Sequence, residues 1–172
     1  MTSDADATPL KIAVYGGSFD PITYGHIDIA RRALTIFDRV VLGVAAHPNK
    51  KTLFTTAQRI DLVNQSFADD AVTGRVEARA VTGLLAQLAQ QINATAFIRG
   101  LRNGVDYENE QPMVIHNRRL ADGIETVLLV GDPALGHISS SFVKELASYG
   151  ADISMMAPPP VVAALHREFE TA

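Results

Sequence analysis

The chain contains no cysteine. That removes disulfides, thiolate nucleophiles and cysteine metal sites, and it fits a reducing compartment. Nor is there an excess of positive charge: 15 Lys and Arg stand against 19 Asp and Glu, a formal net charge of −4. A surface that wraps nucleic acid is not expected on that balance. Any basic cluster must be local, as a site for a phosphorylated small molecule would be. Long hydrophobic runs are missing too. Val40 to Ala46 is among the longest, far short of the ~20 residues that cross a bilayer. Thr2 to Pro9 is acidic and polar, without the basic-then-apolar order of a signal peptide. Residues 1–9 read as a disordered lead-in, and a cytoplasmic location with no membrane partner is expected.

What is present is a globular composition, 47% hydrophobic and 20% charged over 172 residues. Such a length predicts a single domain, residues 1–172, able to bury a real core. The hydrophobic pattern alternates between two periods. Lys11 to Tyr15, Arg39 to Ala46, Arg75 to Val81, Thr95 to Ile98 and Glu125 to Val130 read as strands, several as the continuous β-branched runs of a doubly covered parallel sheet. Helices are predicted from Gly25 through Phe37, over Thr55 to Phe67 with Thr55 or Thr56 as cap, over Leu84 to Ile92, over Tyr107 to Leu120 with Pro112 kinking its start, over Ser139 to Tyr149, and from about Pro159. Asp152 to Met156 reads as a short extended piece. The expected fold is a Rossmann-like, doubly wound α/β protein, a parallel five-stranded sheet with helices on both faces. In such sheets ligands bind beyond the carboxyl ends of the strands. That edge gathers Gly16 to His26, His47 to Lys51, Arg99 to Arg102 and Gly131 to Ser141.

The densest chemistry lies in Val14-Tyr15-Gly16-Gly17-Ser18-Phe19-Asp20-Pro21-Ile22-Thr23-Tyr24-Gly25-His26. A strand runs there into a glycine turn and a helix start, a junction that presents backbone N–H groups and the positive end of a helix dipole to an anion. Two glycines let the main chain approach a phosphate closely. Neither G-x-x-x-x-G-K-[ST] nor G-x-G-x-x-G is present. His47, His116 and His137 lack metal-ligand spacing, so no residue is assigned to a metal. His166 reads as a solvated residue of the last helix.

Gly17-Ser18-Phe19-Asp20-Pro21 followed by Thr23-Tyr24-Gly25-His26 resembles the G-[TS]-F-D-P…[TH]-x-G-H signature of the nucleotidyltransferase superfamily. Three further blocks resemble phosphopantetheine adenylyltransferase in particular: Pro48-Asn49-Lys50-Lys51, then Ile98-Arg99-Gly100-Leu101-Arg102 with Asp106-Tyr107-Glu108 and Glu110, then His137-Ile138-Ser139-Ser140-Ser141-Phe142-Val143-Lys144-Glu145. The resemblance runs in one register from about Lys11 to Leu165. It implies transfer of the adenylyl group of ATP to 4′-phosphopantetheine, giving dephospho-coenzyme A and pyrophosphate, with Mg²⁺ carried on the ATP phosphates. Coenzyme A is implied as a possible feedback ligand, and a homohexamer as the assembly.

By the same resemblance the catalytic group is His26, Lys50, Arg99 and Ser18. ATP contacts are expected from Ser18, Phe19, His26, Gly100, Leu101, Arg102, Glu110, Leu135, Gly136, His137, Ile138, Ser139, Ser140 and Ser141. Phosphopantetheine contacts are expected from Ser18, Lys50, Arg99 and Leu85, with Leu84 beside it. Two departures stand out: the family usually has Pro-Gly-Thr where this chain has Gly16-Gly17-Ser18, and aromatic residues where it has Leu135-Gly136-His137. Double glycine is more typical of nicotinate-mononucleotide adenylyltransferases, so adenylyl transfer to nicotinate or nicotinamide mononucleotide is the alternative enzyme. A non-catalytic adenine-nucleotide sensor is the alternative of another class.

Overall fold

Strands and helices alternate strictly through the first three-quarters of the chain. They are β1 (Ile12–Gly17), α1 (Tyr24–Ala33), β2 (Arg39–Ala45), α2 (Thr56–Ser66), β3 (Val76–Val81), α3 (Leu85–Gln91), β4 (Ala96–Leu101), α4 (Gly104–Leu120) and β5 (Glu125–Val130). A 3₁₀ turn over Pro133–Leu135, then α5 (Ser140–Ser148) and α6 (Pro159–Glu170), complete the order. The computed structural model describes residues 9–46, 51–68, 72 and 74–170. Lys50 and His47 to Asn49 lie outside the described residues, as do residues 1–8 of the N-terminal lead-in.

The five strands form one parallel sheet in the order β3-β2-β1-β4-β5. Side chains alternate across it. Ala13, Tyr15, Val40, Leu42, Val44, Ala96 and Ile98 meet α1, α2, α5 and α6 on one face; Val14, Val41, Val81 and Phe97 meet α3 and the end of α4 on the other. Val14, Val40, Leu42, Phe97 and Ile98 are completely buried, each contributing about 1.5–3 kcal/mol relative to an exposed side chain. Both faces are therefore covered, as the β-branched runs predict.

The chain winds outward from β1 to β2 and β3, then returns to lay β4 on the other side of β1. Connections leave β1 and β4 towards opposite faces, opening a crevice at their carboxyl ends, where ligands bind in this class of sheet.

Three local expectations are corrected. β4 does not stop at Ile98: Arg99, Gly100 and Leu101 pair with Leu128, Leu129 and Val130 of β5, so the basic block is the end of a strand rather than the loop after it. α4 begins at Gly104, one turn early, because the Asn103 side chain caps it by accepting from the Asp106 N–H at 3.0 Å. Pro112 sits inside that helix with helix on both sides; it and Glu108, whose carbonyl loses its usual donor, are both exposed, where water can take over. Asp152 to Met156 is not an extended piece but a turn, with the N–H groups of Met156 and Ala157 both donating to the Ile153 carbonyl.

Candidate active site

At the β1/β4 crevice lies a cavity of about 280 Å³, lined by Tyr15, Gly16, Gly17, Phe19, Thr23, Gly25, His26, Arg99, Gly100, Arg102, Asp106, Glu110, Ile138, Ser139 and Ser140. Three sequence blocks far apart in the chain thus meet in one space. The starts of α1, α4 and α5 all border it, so three helix dipoles favour negative charge there.

β1 delivers the glycine turn. A Cβ on Gly16 would lie 2.4 Å from Leu85 Cδ2, and one on Gly17 would lie 2.9 Å from the Phe19 ring. No real contact is so short, so both positions exclude any side chain as the neighbours stand. Phe19 adopts φ 44°, a left-handed conformation that costs a bulky L-residue about 1–2 kcal/mol. Its ring is 1% exposed, and that burial offsets the strain. It packs edge-on against His26 with centroids 5.2 Å apart, and Tyr15 lies behind it at 5.4 Å. Burial pushes the Tyr15 phenol well up, so it stays protonated.

His26 is the third residue of α1, where a glutamate or glutamine would complete a capping box. Its Nδ1 does that work, accepting from the Thr23 N–H at 3.1 Å and lying 3.0 Å from the Thr23 hydroxyl. An amide N–H can only donate, so Nδ1 carries no proton and the neutral ring holds its proton on Nε2. Desolvation, with Arg102 and Arg99 nearby, lowers its pKa to about 4. At neutral pH His26 is therefore an uncharged N–H donor of fixed tautomer on the cavity wall.

Both cavity arginines are held by carboxylates. Arg99 reaches Glu110 with Nε and Nη2, each at 2.5 Å, and gives Nη1 to the Gly16 carbonyl at 2.6 Å. Arg102 forks onto Asp106 at 3.0 and 3.1 Å, while its backbone N–H donates to the same carboxylate at 2.8 Å. The Arg102 hydrogen bond, outweighing burial, holds Asp106 below the usual carboxylate range. At the start of α5, Ser139 Oγ accepts from the Phe142 N–H at 3.2 Å, and the Ser140 hydroxyl donates to the Pro21 carbonyl at 2.7 Å. Ser140 thereby staples α5 to the glycine turn.

Of the expected site residues, Phe19, His26, Arg99, Gly100, Arg102, Glu110, Ile138, Ser139 and Ser140 line the cavity. Ser18, Leu85, Leu101, Leu135, Gly136, His137 and Ser141 do not. Ser18 turns its carbonyl to Arg59. Leu85 fits its methyls over Gly16 and Gly43, on the face that carries α3. Leu135 packs on the core and borders a separate groove with Tyr24 and Met155, because the 3₁₀ turn swings this segment aside. His137 and Ser141 are exposed. Lys50 lies outside the described residues.

Sequence reasoning overlooked the supporting partners. Thr23 stands at cap-to-third-residue spacing from His26, and Asp106 lies four residues from Arg102, both readable offsets. The Asp20 carboxylate, 3% exposed, accepts from Lys144 Nζ at 2.6 Å and from the N–H groups of Leu53 and Phe54. Burial alone would push this carboxyl up, but Lys144 and the two amides outweigh it and hold it low. Among the described residues no cluster of three or more metal-ligating side chains occurs, and no helix is long and apolar enough to cross a membrane.

The cytidylyltransferase-like family model matches residues 14–146. The chain is 46% identical over 159 residues to a phosphopantetheine adenylyltransferase of Kocuria rhizophila, covering 92% of this chain and 100% of that one. It is also 46% identical to the one of Chloroflexus aggregans, covering 93% and 98%, and 39% identical to that of Caldanaerobacter subterraneus, covering 94% and 99%. Two solved structures share the fold at low identity. A putative nicotinate-nucleotide adenylyltransferase from Vibrio parahaemolyticus superposes with TM-score 0.67 at 21% identity over 91% of both chains. The Plasmodium falciparum nicotinic acid mononucleotide adenylyltransferase gives 0.65 at 16%, over 92% and 96%. With its glycine turn, its arginine strand end and its serine helix start gathered at one switch point, the chain belongs to the phosphopantetheine adenylyltransferase family, within the cytidylyltransferase-like nucleotidyltransferases.

Proposed function

We propose that the chain transfers the adenylyl group of ATP to 4′-phosphopantetheine, forming dephospho-coenzyme A and releasing pyrophosphate. The observation that carries this reading is the meeting of the Gly17 to His26 signature with two of the family blocks, Ile98 to Glu110 and His137 to Glu145, around one cavity bordered by three helix N-termini.

An acceptor phosphate oxygen attacks the α-phosphorus of ATP in line, with no covalent enzyme intermediate. That oxygen is already anionic and needs no base, so the chain must chiefly position the reactants and stabilise charge. The Nε2–H of His26 donates to the α-phosphate as charge builds there. Arg99 and Lys50 hold the acceptor phosphate, Ser18 bridges acceptor and nucleotide, and Arg102 with the backbone start of α5 orients the triphosphate. The Ser140 hydroxyl is spent on Pro21, so its contribution to an anion is the helix-start amide. Glu110 fixes the plane of the Arg99 guanidinium, and an arriving phosphate shares that fork. Asp106 and Glu110, the carboxylates of the cavity, are committed to arginines, so Mg²⁺ would enter on the ATP phosphates and would supply charge neutralisation there.

A cytoplasmic enzyme assembled as a homohexamer, with coenzyme A as feedback ligand, completes the proposal. Val105, Met113, Ile115 and Leu120 on α4, between 47% and 64% exposed, support self-association. Packing by Leu85 accounts for Gly16, so the double glycine no longer speaks for a mononucleotide acceptor.

The test is pyrophosphate release from Mg-ATP with 4′-phosphopantetheine and, in parallel, with nicotinate mononucleotide. Release with the first alone is expected. Release with only the mononucleotide would replace the acceptor, and ATP binding without release from either would make the chain a sensor.

A further inference from the structure

Among the described residues Arg59 is the largest fully buried side chain, 2% exposed, and it belongs to none of the family blocks. Its guanidinium reaches into three segments. Nη1 donates to the Ser18 carbonyl at 2.5 Å and to the Ala45 carbonyl at 3.0 Å; Nε donates to the Phe54 carbonyl at 3.2 Å; Nη2 donates to the Thr56 hydroxyl at 3.0 Å. Every acceptor is neutral, and among the described residues no ion pair includes Arg59. Asp20, the carboxylate that bears on it electrostatically, is spent on Lys144 and two amides.

Buried cations are costly unless matched by an anion. Carbonyl dipoles satisfy hydrogen-bonding capacity without cancelling a full charge. What remains is a positive charge fastened to Ser18, whose neighbours Gly17 and Phe19 line the cavity. The same fork takes the last residue of β2 and the residues that open α2, so it sets the Ser18 turn against the end of β2. The ATP-side groups have separate anchors: Asp106 for Arg102, Thr23 for His26, Pro21 for Ser140.

We propose that Arg59 is a positioning residue for the acceptor phosphate, holding the Ser18 turn in register with the end of β2 and supplying beneath that turn the positive charge the phosphate completes. The inference rests on the adenylyl-transfer reading.

The experiment compares wild type with Arg59→Lys, Arg59→Met and Thr56→Val, each checked for cooperative unfolding above the assay temperature, by pyrophosphate release with each substrate varied in turn. Arg59→Met is expected to raise KM for phosphopantetheine about tenfold or more, while KM for ATP, which meets the Ser18 turn as well but has its own anchored groups, rises clearly less, by about threefold at most. Arg59→Lys, which keeps the charge and loses the fork, should fall between. Thr56→Val removes one anchor and leaves the cation, so a rise of about two- to threefold in the same KM is expected; it carries the test should Arg59→Met not fold. Equal rises in both KM values, or a fall in kcat alone in proportion to folded protein, would reduce Arg59 to a structural role and overturn the proposal. Should wild type not turn over phosphopantetheine, the functional reading fails by itself. Calorimetric titration with inorganic phosphate then decides Arg59: weaker binding by Arg59→Met supports it, and equal binding ends it.

Discussion

His26→Gln separates two contributions that His26→Ala removes together. Glutamine at the third position of α1 still accepts from the Thr23 N–H, so its unfolding free energy should stay within about 0.5 kcal/mol of wild type, while alanine loses about 1 kcal/mol with the cap. Alanine offers no donor and should lose on the order of 10² to 10³ in kcat, while glutamine keeps an amide N–H₂ displaced from the imidazole Nε2 position and should lose less. Near-normal turnover in a well-folded alanine variant would take His26 out of the chemistry. The ring also has a pH signature. Its folded pKa, about 4, lies below the unfolded 6.5, so as pH falls from 6.5 the unfolded chain takes up a proton before the folded one does. The stability His26 contributes is complete above pH 6.5 and is lost progressively as pH drops towards 4. Nitrogen-15 NMR of the ligand-free protein should show the Nε2–H tautomer titrating near that value; a midpoint at 6.5 or above would contradict the burial argument. The sequence showed that a histidine stood at a helix start. It could not show which nitrogen was spent on the cap, because that depends on the angle at which Thr23 enters α1.

At the scale of elements, the fit of α3 onto β1 is the sharpest constraint. Leu85 closes over Gly16, so Gly16→Ala should cost about 1–3 kcal/mol by overpacking. Leu85→Ala should relieve part of that cost, giving a favourable coupling in a double-mutant cycle followed by chemical denaturation. Additive losses would mean that the Gly16 backbone, not Leu85, sets the requirement. All five strands and six α-helices were readable, but the extended piece expected over Asp152 to Met156 is a turn and the 3₁₀ turn over Pro133–Leu135 gave no signal. Boundaries shifted where tertiary pairing overrode local signals: β5 carried β4 on through Arg99 to Leu101, and Asn103 capped α4 a turn before its hydrophobic pattern begins. Those two shifts place Arg99 on a rigid strand facing Glu110. From sequence Arg99 read as a phosphate-binding cation in the loop after β4 and Glu110 as an ATP contact, with nothing to join the two.

For the molecule as a whole, strand alternation places the site at the carboxyl edge of the sheet; the switch point between β1 and β4 comes from the observed strand order. What a linear reading could not supply is the closing layer from the C-terminal third. Lys144 lies 124 residues from Asp20 and donates to it at 2.6 Å. Lys144→Met would leave a nearly buried carboxylate with only two amides, and a loss of about 2–3 kcal/mol is expected in thermal or chemical unfolding. Asp20→Asn in the same background removes the unpaired charge but turns its NH₂ towards one of the two backbone N–H donors, so only partial recovery is expected. If both variants unfold like wild type, the pair is decorative.

The turn that opens the site is made early and finished late. Ser140 donates to Pro21 across 119 residues, the Asp132 N–H reaches Asp28 across 104, and the Tyr24 N–H donates to Met156. During synthesis from the N-terminus, the glycine turn leaves the ribosome before its partners Ser140 and Met156 are made. A nascent chain halted after β4 holds both arginines and the histidine without the strut that sets their separation. Nucleotide cannot then serve as a template for the growing chain. The site becomes competent for its ligands only as the last helices emerge.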